Sequence, residues 1–201
     1  IVSPVRVSAE EKKYWPDGPQ VGSEAAIVME AKTGAILYEK NVHEKLYPAS
    51  ITKILTSLIA IENNSLSETV TFSKDSVYKI EGTHIARDVG EQMTLEETLY
   101  AVLLGSANEC AYATAEHVGK SYDNFVKMMN KRAKEIGCVD SNFSNPHGLP
   151  DTNHVTSAYD MALISREAIQ NETFRLIVGT SRYTIPPTNK HTEETPLVNH
   201  H

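Results

Sequence analysis

Ser50 and Lys53 lie three positions apart in the run SITK, residues 50–53, and their residue types can do chemistry together. On a helix, this spacing brings two side chains onto one face with about 5–6 Å between Cβ atoms, so the amine can reach the hydroxyl. The N-terminus of a helix favours the oxyanion that forms when a serine attacks a carbonyl. A lysine held against an apolar helix loses hydration, its pKa falls, and it can act as a base near neutral pH. We predict that Ser50 is a nucleophile and that Lys53 is its general base.

The sequence that follows Pro48 supplies the helix that must position this pair. Its apolar residues recur at i, i+3, i+4, i+7 and i+8, the spacing of one helix face. They are Ile51, Ile54, Leu55, Leu58 and Ile59. The Ser-x-x-Lys pattern occurs again at Ser76 and Lys79, where no apolar helix follows. The spacing by itself is therefore not specific, and the apolar helix favours the first copy.

Ser106 and Asn108 form the only Ser-x-Asn pattern of the chain, and they interrupt an apolar helical run. A hydroxyl and an amide that face a cleft would supply a proton relay and a hydrogen-bond donor for a peptide-like substrate. Alternatively, the two residues cap the end of one helix and the start of the next, positions that serine and asparagine favour. Together with Ser50 and Lys53, the pattern favours the first interpretation.

Three blocks of this sequence resemble the serine-type D-alanyl-D-alanine carboxypeptidases, the low-molecular-mass penicillin-binding proteins that are related to the serine β-lactamases. The blocks are PASITKILTSLIA, LLGSANECAYATAE and FSNPHGLPDTNHVTSAYDMALISREAI, and the likeness runs from about Ala25 to Asn199. The resemblance implies a β-lactamase/DD-peptidase-like α+β fold, in which an antiparallel sheet accompanies a helical subdomain. It implies that Ser50 forms an acyl-enzyme with Lys53 as general base, and that Ser106 and Asn108 line the cleft.

The same resemblance implies a substrate and a place in the cell. The expected reaction removes the terminal D-Ala from peptidoglycan stem peptides, and β-lactam antibiotics such as penicillins are expected to acylate Ser50. The family uses no metal, and we expect no cofactor. The resemblance also implies an exported protein of the bacterial cell envelope, usually tethered by a C-terminal amphipathic segment that this sequence lacks.

The third motif of the family, Lys-Thr-Gly, departs from the expected order. In the family it lies on a sheet strand after the helical subdomain, whereas here Lys32-Thr33-Gly34 precedes Ser50. Two short apolar runs, AAIVME and AILYE, flank this copy, so we interpret it as the turn of a β-hairpin. The strand with the true motif is then missing, and a sheet without it would expose apolar faces and unpaired edges. We expect the chain to be part of a larger folded unit, completed by a second polypeptide or by residues outside this sequence.

The domain organisation follows from these patterns. Residues 1–24 are rich in Pro, Gly and charge and are predicted to be an irregular lead-in. Residues 25–201 are predicted to form an incomplete DD-peptidase-like catalytic domain. Within it, residues 25–61 hold the first hairpin and the nucleophile helix, and residues 94–170 form the helical subdomain.

Local signals predict the elements between and after these motifs. The pieces TVTF and VYKI, within residues 65–93, are predicted to be β-like. Thr94 and Glu97 form a capping box that begins a helix through Leu104, and the next helix ends at Gly119. Ser121 caps a third helix that ends at Gly137, a fourth helix follows Thr156, and SRYTIPP begins a strand that Pro186 and Pro187 soon end.

His147, Asp151 and His154 lie in a turn-rich loop, where zinc binding is one possibility. Zinc needs three or four convergent ligands, and this trio lacks a regular ligand spacing. We therefore expect His147 to be hydrogen-bonded within a loop that packs beside the cleft, where it shapes the edge of the active site and helps to bind substrate.

Composition excludes several other classes. With 40% hydrophobic and 22% charged residues the chain is an ordinary globular protein, and its net charge of −7 argues against nucleic acid as a partner. Cys110 and Cys138 are too few for a disulfide scaffold, and we interpret them as free buried thiols, although one bridge is open. The longest uncharged stretch, Thr98 to Asn108, is short of the roughly 20 residues that span a bilayer.

Two other functions stay open at this point. The first is a β-lactamase of the same fold, which needs a carboxylate that activates the deacylating water. The loop from Ser141 to His154 offers only Asp151 and no Glu-x-x-x-Asn pattern. The second is a non-catalytic fragment or wall-binding module, which the missing Lys-Thr-Gly strand supports.

Overall fold

The computed structural model describes residues 18–199, which fold into an α+β arrangement of seven helices and six short strands in that range. The strands are β1 (Ala26–Met29), β2 (Ile36–Lys40), β3 (Thr69–Thr71), β4 (Gln92–Thr94), β5 (Arg182–Ile185) and β6 (Thr195–Val198). The helices are α1 (Thr52–Asn63), α2 (Lys74–Tyr78), α3 (Leu95–Leu104), α4 (Asn108–Gly119), α5 (Tyr122–Ile136), α6 (Ala158–Ala168) and α7 (Glu172–Gly179). A 3₁₀ turn, Ala49–Ile51, leads into α1.

The strands of the described range pair as three separate antiparallel sheets of two strands each: β1 with β2, β3 with β4, and β5 with β6. Of the segment predicted to be an irregular lead-in, residues 18–24 form no helix or strand, and residues 1–17 lie outside the described range. Lys32, Thr33 and Gly34 form the turn between β1 and β2, as predicted. The Glu30 carboxylate accepts hydrogen bonds from the Lys32 and Thr33 backbones, and Gly34 has a φ of +77°.

Helix α1 is the centre of the helical part, because α3, α4, α5, α6 and α7 all pack against it. Leu55, Leu58 and Ile59 are buried as the apolar spacing predicted. Ile54 is only partly buried. Ile51 is 48% exposed, because it lies in the 3₁₀ turn and not on the buried face of α1. The helix thus carries the Ser50 turn at its start and is fixed by core packing along its length.

The predicted helix ends of the central region are confirmed. The Thr94–Glu97 capping box begins α3, the Ser121 hydroxyl caps α5, and Gly137 ends α5 in the left-handed conformation. The fourth predicted helix is α6, which the Ser157 hydroxyl caps one residue after Thr156. The Thr94, Ser121 and Ser157 caps act through local side-chain hydrogen bonds, and Gly137 acts through its backbone conformation. Short sequence signals therefore predict these ends.

Four elements differ from the sequence interpretation. VYKI is not β-like, because Val77 and Tyr78 lie in α2, where the Ser73 hydroxyl accepts from the Ser76 backbone and caps the helix. Strand β4, helix α7 and strand β6 were not predicted from the sequence. In α7, Asn171 caps a helix whose Phe174 and Ile177 are buried.

Among residues 18–199, no helix combines the length and the hydropathy needed to cross a bilayer. Both cysteines of the chain are free thiols; Cys110 is buried, as expected, but Cys138 is only partly buried. Burial raises the pKa of both thiols. They are therefore poor nucleophiles at neutral pH.

Candidate active site

Ser50 and Lys53 meet at the junction of the 3₁₀ turn and α1. The Lys53 Nζ lies 3.1 Å from the Ser50 Oγ, and the same nitrogen donates to Asn108 Oδ1 and to the backbone oxygen of His147, each at 2.7 Å. Lys53 is only 2% exposed. A neutral lysine amine has two hydrogens and one lone pair. Here the two hydrogens are bound by the Asn108 and His147 oxygens, so the lone pair faces the Ser50 hydroxyl.

The charge of Lys53 is destabilised by its surroundings. Burial lowers the pKa of Lys53 to about 8, although the Glu109 carboxyl and the Cys110 thiol act in the opposite direction. A useful fraction of the amine is therefore neutral near physiological pH, as a general base requires.

Ser106 lies in the gap between α3 and α4. Its hydroxyl donates to the Ser50 Oγ at 3.1 Å, and its backbone has a φ of +52°, a strained conformation for a residue with a Cβ. Gly105 is the C-cap of α3 and Ala107 the N-cap of α4. The interpretation of Ser106 and Asn108 as the two caps is therefore wrong.

Asn108 is the first residue of α4 and is 5% exposed. Its Oδ1 accepts from Lys53, and its Nδ2 donates to the backbone oxygen of Glu81 at 2.8 Å. The backbone N–H of Asn108 donates to the Thr83 oxygen, also at 2.8 Å. Both ends of the side-chain amide are engaged, so its orientation is fixed within the protein.

His147 contributes its backbone carbonyl to the site rather than its ring. The ring Nδ1 accepts from the Leu149 N–H at 3.2 Å, so the proton lies on Nε2, 3.4 Å from the Tyr122 hydroxyl. The ring is buried, and burial lowers the pKa of His147 to about 3. His147 is therefore a neutral residue inside its loop, held close to Lys53.

His154 is also committed to bonding within the protein. Its Nδ1 accepts from the Ser144 N–H, so its Nε2–H donates to the Thr52 hydroxyl at 2.8 Å. Burial lowers the pKa of His154 to about 4. In the part of the chain that the structure describes, no three His, Cys, Asp or Glu side chains are placed to hold a metal ion together.

Gly148 brings the loop into direct contact with the Ser50 turn. Its φ is +88°, and a Cβ at this position would overlap the backbone carbonyl of Ala49 and lie 3.0 Å from the Ser50 nitrogen. Ala49 itself has a φ of +49°. The backbone that presents Ser50 is therefore strained and is packed against a residue that must be glycine.

Ser50 lines two cavities. The apolar groove, about 390 Å³, lies between α1, α3, α6 and α7, with Ser50, Lys53 and Ser106 at its edge. Its apolar lining includes Ile51, Ile54, Leu103, Ile169, Phe174 and Val178. The loop cavity, about 270 Å³, also includes Ser50 in its lining and lies between Gly82–Thr83 and His147–Pro150. A carbonyl bound near Ser50 could thus extend into either cavity.

The second Ser-x-x-Lys copy does not form a comparable pair. The Ser76 hydroxyl donates to the Ser73 backbone oxygen at 3.0 Å, and the Lys79 amine lies 2.7 Å from the Asp75 carboxylate. Both functional groups have other partners, and Lys79 is on the surface. The two copies differ in the burial of the lysine, because Lys53 is buried whereas Lys79 is exposed. The motif itself does not encode this difference.

Two contributors to the site were not predicted from the sequence. The carbonyl of His147 is a backbone group, and such groups leave no trace in residue types. Glu109, beside Asn108 in α4, is 4% exposed and raises the pKa of Lys53. A charged residue directly after Ser-x-Asn at a helix start could have suggested it.

Comparison with known proteins identifies relatives over most of the chain. Residues 11–200 match the family described as D-alanyl-D-alanine carboxypeptidase. The chain is 38% identical over 163 residues to D-alanyl-D-alanine carboxypeptidase DacF of Bacillus subtilis, covering 79% of this chain and 42% of that protein. The chain spans less than half the length of the curated relatives it matches most strongly.

Solved structures agree with this match. The D-alanyl-D-alanine carboxypeptidase DacD of Francisella tularensis superposes with a TM-score of 0.77 at 30% identity, covering 88% of this chain and 45% of that one. Penicillin binding protein 5 of Haemophilus influenzae gives a TM-score of 0.81 at 27% identity, over 90% of this chain and 54% of the other. The predicted DD-peptidase-like α+β fold is confirmed.

Proposed function

Because the chain belongs to the D-alanyl-D-alanine carboxypeptidase family, we propose that it carries the nucleophile of a serine DD-carboxypeptidase, with Ser50 forming the acyl-enzyme. The observation that carries this proposal is the bonding of Lys53. A buried amine is held by Asn108 Oδ1 and the His147 carbonyl and faces the Ser50 hydroxyl. This arrangement can deprotonate a serine without a histidine or a metal.

The reaction would proceed in two steps. Ser50 Oγ attacks the carbonyl between the two D-Ala residues while Lys53 takes its proton, and the oxyanion is stabilised by backbone N–H groups that include that of Ser50. The C–N bond then breaks, and the proton returns through Lys53 and Ser106 to the leaving amine of D-Ala. Water hydrolyses the ester and frees Ser50.

Asn108 has a narrower role in this mechanism than the sequence suggested. Its Nδ2 already donates to Glu81 O, and its Oδ1 accepts from Lys53. We therefore assign it to the positioning of the Lys53 amine, while the loop cavity beside it holds part of the peptide. His147 acts through its carbonyl in the same way.

The substrate, ligands and location follow from family membership as part of the proposal. The substrate is the D-Ala-D-Ala end of peptidoglycan stem peptides in the bacterial cell envelope. β-Lactam antibiotics would acylate Ser50, consistent with the relative named as penicillin binding protein 5.

The apolar groove supports a further part of this proposal. Its lining includes Ile54, Leu103 and Phe174, and Ile51 at its edge is 48% exposed. A contiguous exposed apolar surface of this kind commonly marks a site where a ligand or another protein segment binds. We propose that an extended segment that residues 18–199 do not supply, on a second polypeptide or elsewhere, covers the groove and completes the substrate site.

The proposal is tested by incubating the folded chain with penicillin and measuring its intact mass. We expect a mass gain of one penicillin, located at Ser50 by peptide mapping. An adduct that persists for hours identifies a penicillin-binding protein, whereas fast loss of the adduct identifies a β-lactamase. A folded chain that gains no mass would show the chain to be non-catalytic by itself.

The pH dependence of acylation gives a second prediction. Lys53 acts as a base only when neutral, and its pKa is about 8. The acylation rate should therefore rise about tenfold per pH unit below pH 8 and level off above it. His147 and His154, with pKa values of about 3 and about 4, stay neutral throughout this range. A rate measured from pH 5.5 to 9.5 that does not change with pH would contradict the role of Lys53.

A further inference from the structure

Three hydrogen bonds join the first turn of α4 to the irregular segment of residues 81–85. Asn108 donates through its backbone to Thr83 O and through its side chain to Glu81 O. The third bond runs the other way, because the Ile85 N–H donates to Glu109 Oε1 at 2.6 Å. The segment forms one wall of the loop cavity through Gly82 and Thr83. The 81–85 segment and the Asn108 side chain, which binds Lys53, are therefore held in one position relative to each other.

Glu109 is a buried carboxyl residue in the first turn of α4. It is 4% exposed, and burial raises its pKa. Its Oε2 is buried and has no hydrogen-bond partner among residues 18–199. Leaving a carboxyl oxygen buried and unbonded costs free energy. An apolar side chain could fill this position at a lower free-energy cost, so packing alone does not explain a glutamate here.

The charged and titratable groups around Glu109 come from three elements. Lys53 on α1 and Cys110 on α4 lie on the side of the active site. His84 lies within the 81–85 segment that Glu109 binds, and Arg87 lies two residues after the end of that segment. Among these groups, Lys53 matters most for the proposed mechanism. A negative charge at Glu109 favours the protonated form of its amine.

We propose that Glu109 is a positioning residue of the active site, which anchors Ile85 through one carboxyl oxygen and thereby holds the 81–85 segment against Asn108 and Lys53. Glu109 directly follows Asn108, whose Oδ1 binds the Lys53 amine, so its carboxylate also disfavours release of the Lys53 proton. The proposal rests on the proposed function for its catalytic consequence. The anchoring itself does not depend on that function.

Two variants separate the anchor from the charge. Glu109→Gln keeps an oxygen that can accept from Ile85 but removes the charge, and Glu109→Ala removes both. Glu172→Ala is the matched control, because Glu172 is also a first-turn acid, at the start of α7, but its side chain is 93% exposed. Three quantities are measured: hydrogen exchange at the Ile85 amide, the NMR titration midpoint of the Lys53 side chain, and the rate of penicillin acylation.

We expect Glu109→Ala to speed Ile85 exchange at least tenfold and to slow acylation by up to about 10²-fold, the cost that a displacement of about 1 Å at a site group can have. Glu109→Gln should keep the Ile85 protection and move the Lys53 midpoint to lower pH. Glu172→Ala should resemble the unmodified chain in all three measurements.

The proposal is overturned if Ile85 stays protected in Glu109→Ala, or if the Lys53 midpoint does not move in Glu109→Gln. The proposed function fails in a different way, as an unmodified chain that is not acylated. In that case the exchange and titration measurements still decide the role of Glu109.

Discussion

Replacing Lys53 with alanine is expected to lower the rate of Ser50 acylation by penicillin about 10²–10⁴-fold, the usual contribution of a general base. Alanine is a good helix former, so α1 should persist. The acceptors Asn108 Oδ1 and His147 O lose their donor, which costs about 1–3 kcal/mol for each buried group. A thermal unfolding curve therefore accompanies the rate measurement and shows that the variant is folded.

Two further variants isolate the proton transfer. Lys53→Arg keeps a donor for Asn108 and His147 and keeps the positive charge, but a guanidinium stays protonated, so this variant should also be slow. Lys79→Ala removes the lysine of the second Ser-x-x-Lys copy, whose amine pairs with Asp75 on the surface, and should acylate at the normal rate. If Lys53→Ala acylates as fast as the unmodified chain, Lys53 is not the base.

The second large effect is expected for Gly148→Ala, which changes no polar group. The new Cβ would overlap the Ala49 carbonyl, and alanine disfavours the φ of +88° at this position. Overpacking and a strained backbone each cost about 1–3 kcal/mol. The turn that presents Ser50 must shift, and a displacement of about 1 Å at a reacting group can cost 10²-fold in rate.

Gly179→Ala is the matched control for this change. Gly179 ends α7 outside the left-handed conformation, and a Cβ added there would meet no heavy atom within 4 Å. The substitution should leave both the melting temperature and the acylation rate nearly unchanged. A Gly148→Ala chain with normal stability and a normal rate would show that the loop does not support the Ser50 turn.

The parts of the fold that local signals specify were predicted correctly. A capping box at Thr94 and a glycine stop at Gly137 act within one helical turn, so their residues suffice to locate α3 and the end of α5. The prediction of a strand for VYKI was wrong. Its β-branched and aromatic residues suggested a strand, but Ser73 caps a helix that includes Val77 and Tyr78. Helix α7 was missed for a similar reason, since its Leu-Ile-Val run masks the cap at Asn171.

The candidate site was only partly predictable. Spacing and residue type pointed to Ser50, Lys53 and the Ser-x-Asn pair, because the polar groups that meet there belong to their side chains. The His147 carbonyl and the close approach of Gly148 depend on where a distant loop packs. Such contacts arise from tertiary structure and have no local pattern that a single sequence could display.

Lys53 borders the apolar groove as well as the polar groups that bind it. An apolar chain or ligand that fills the groove would exclude water from this edge of the site and further disfavour the charge of the amine. The titration midpoint of the Lys53 amine should therefore differ between an empty and an occupied groove. A fall in its midpoint on adding a peptide would report binding at the groove even when no bond is cleaved.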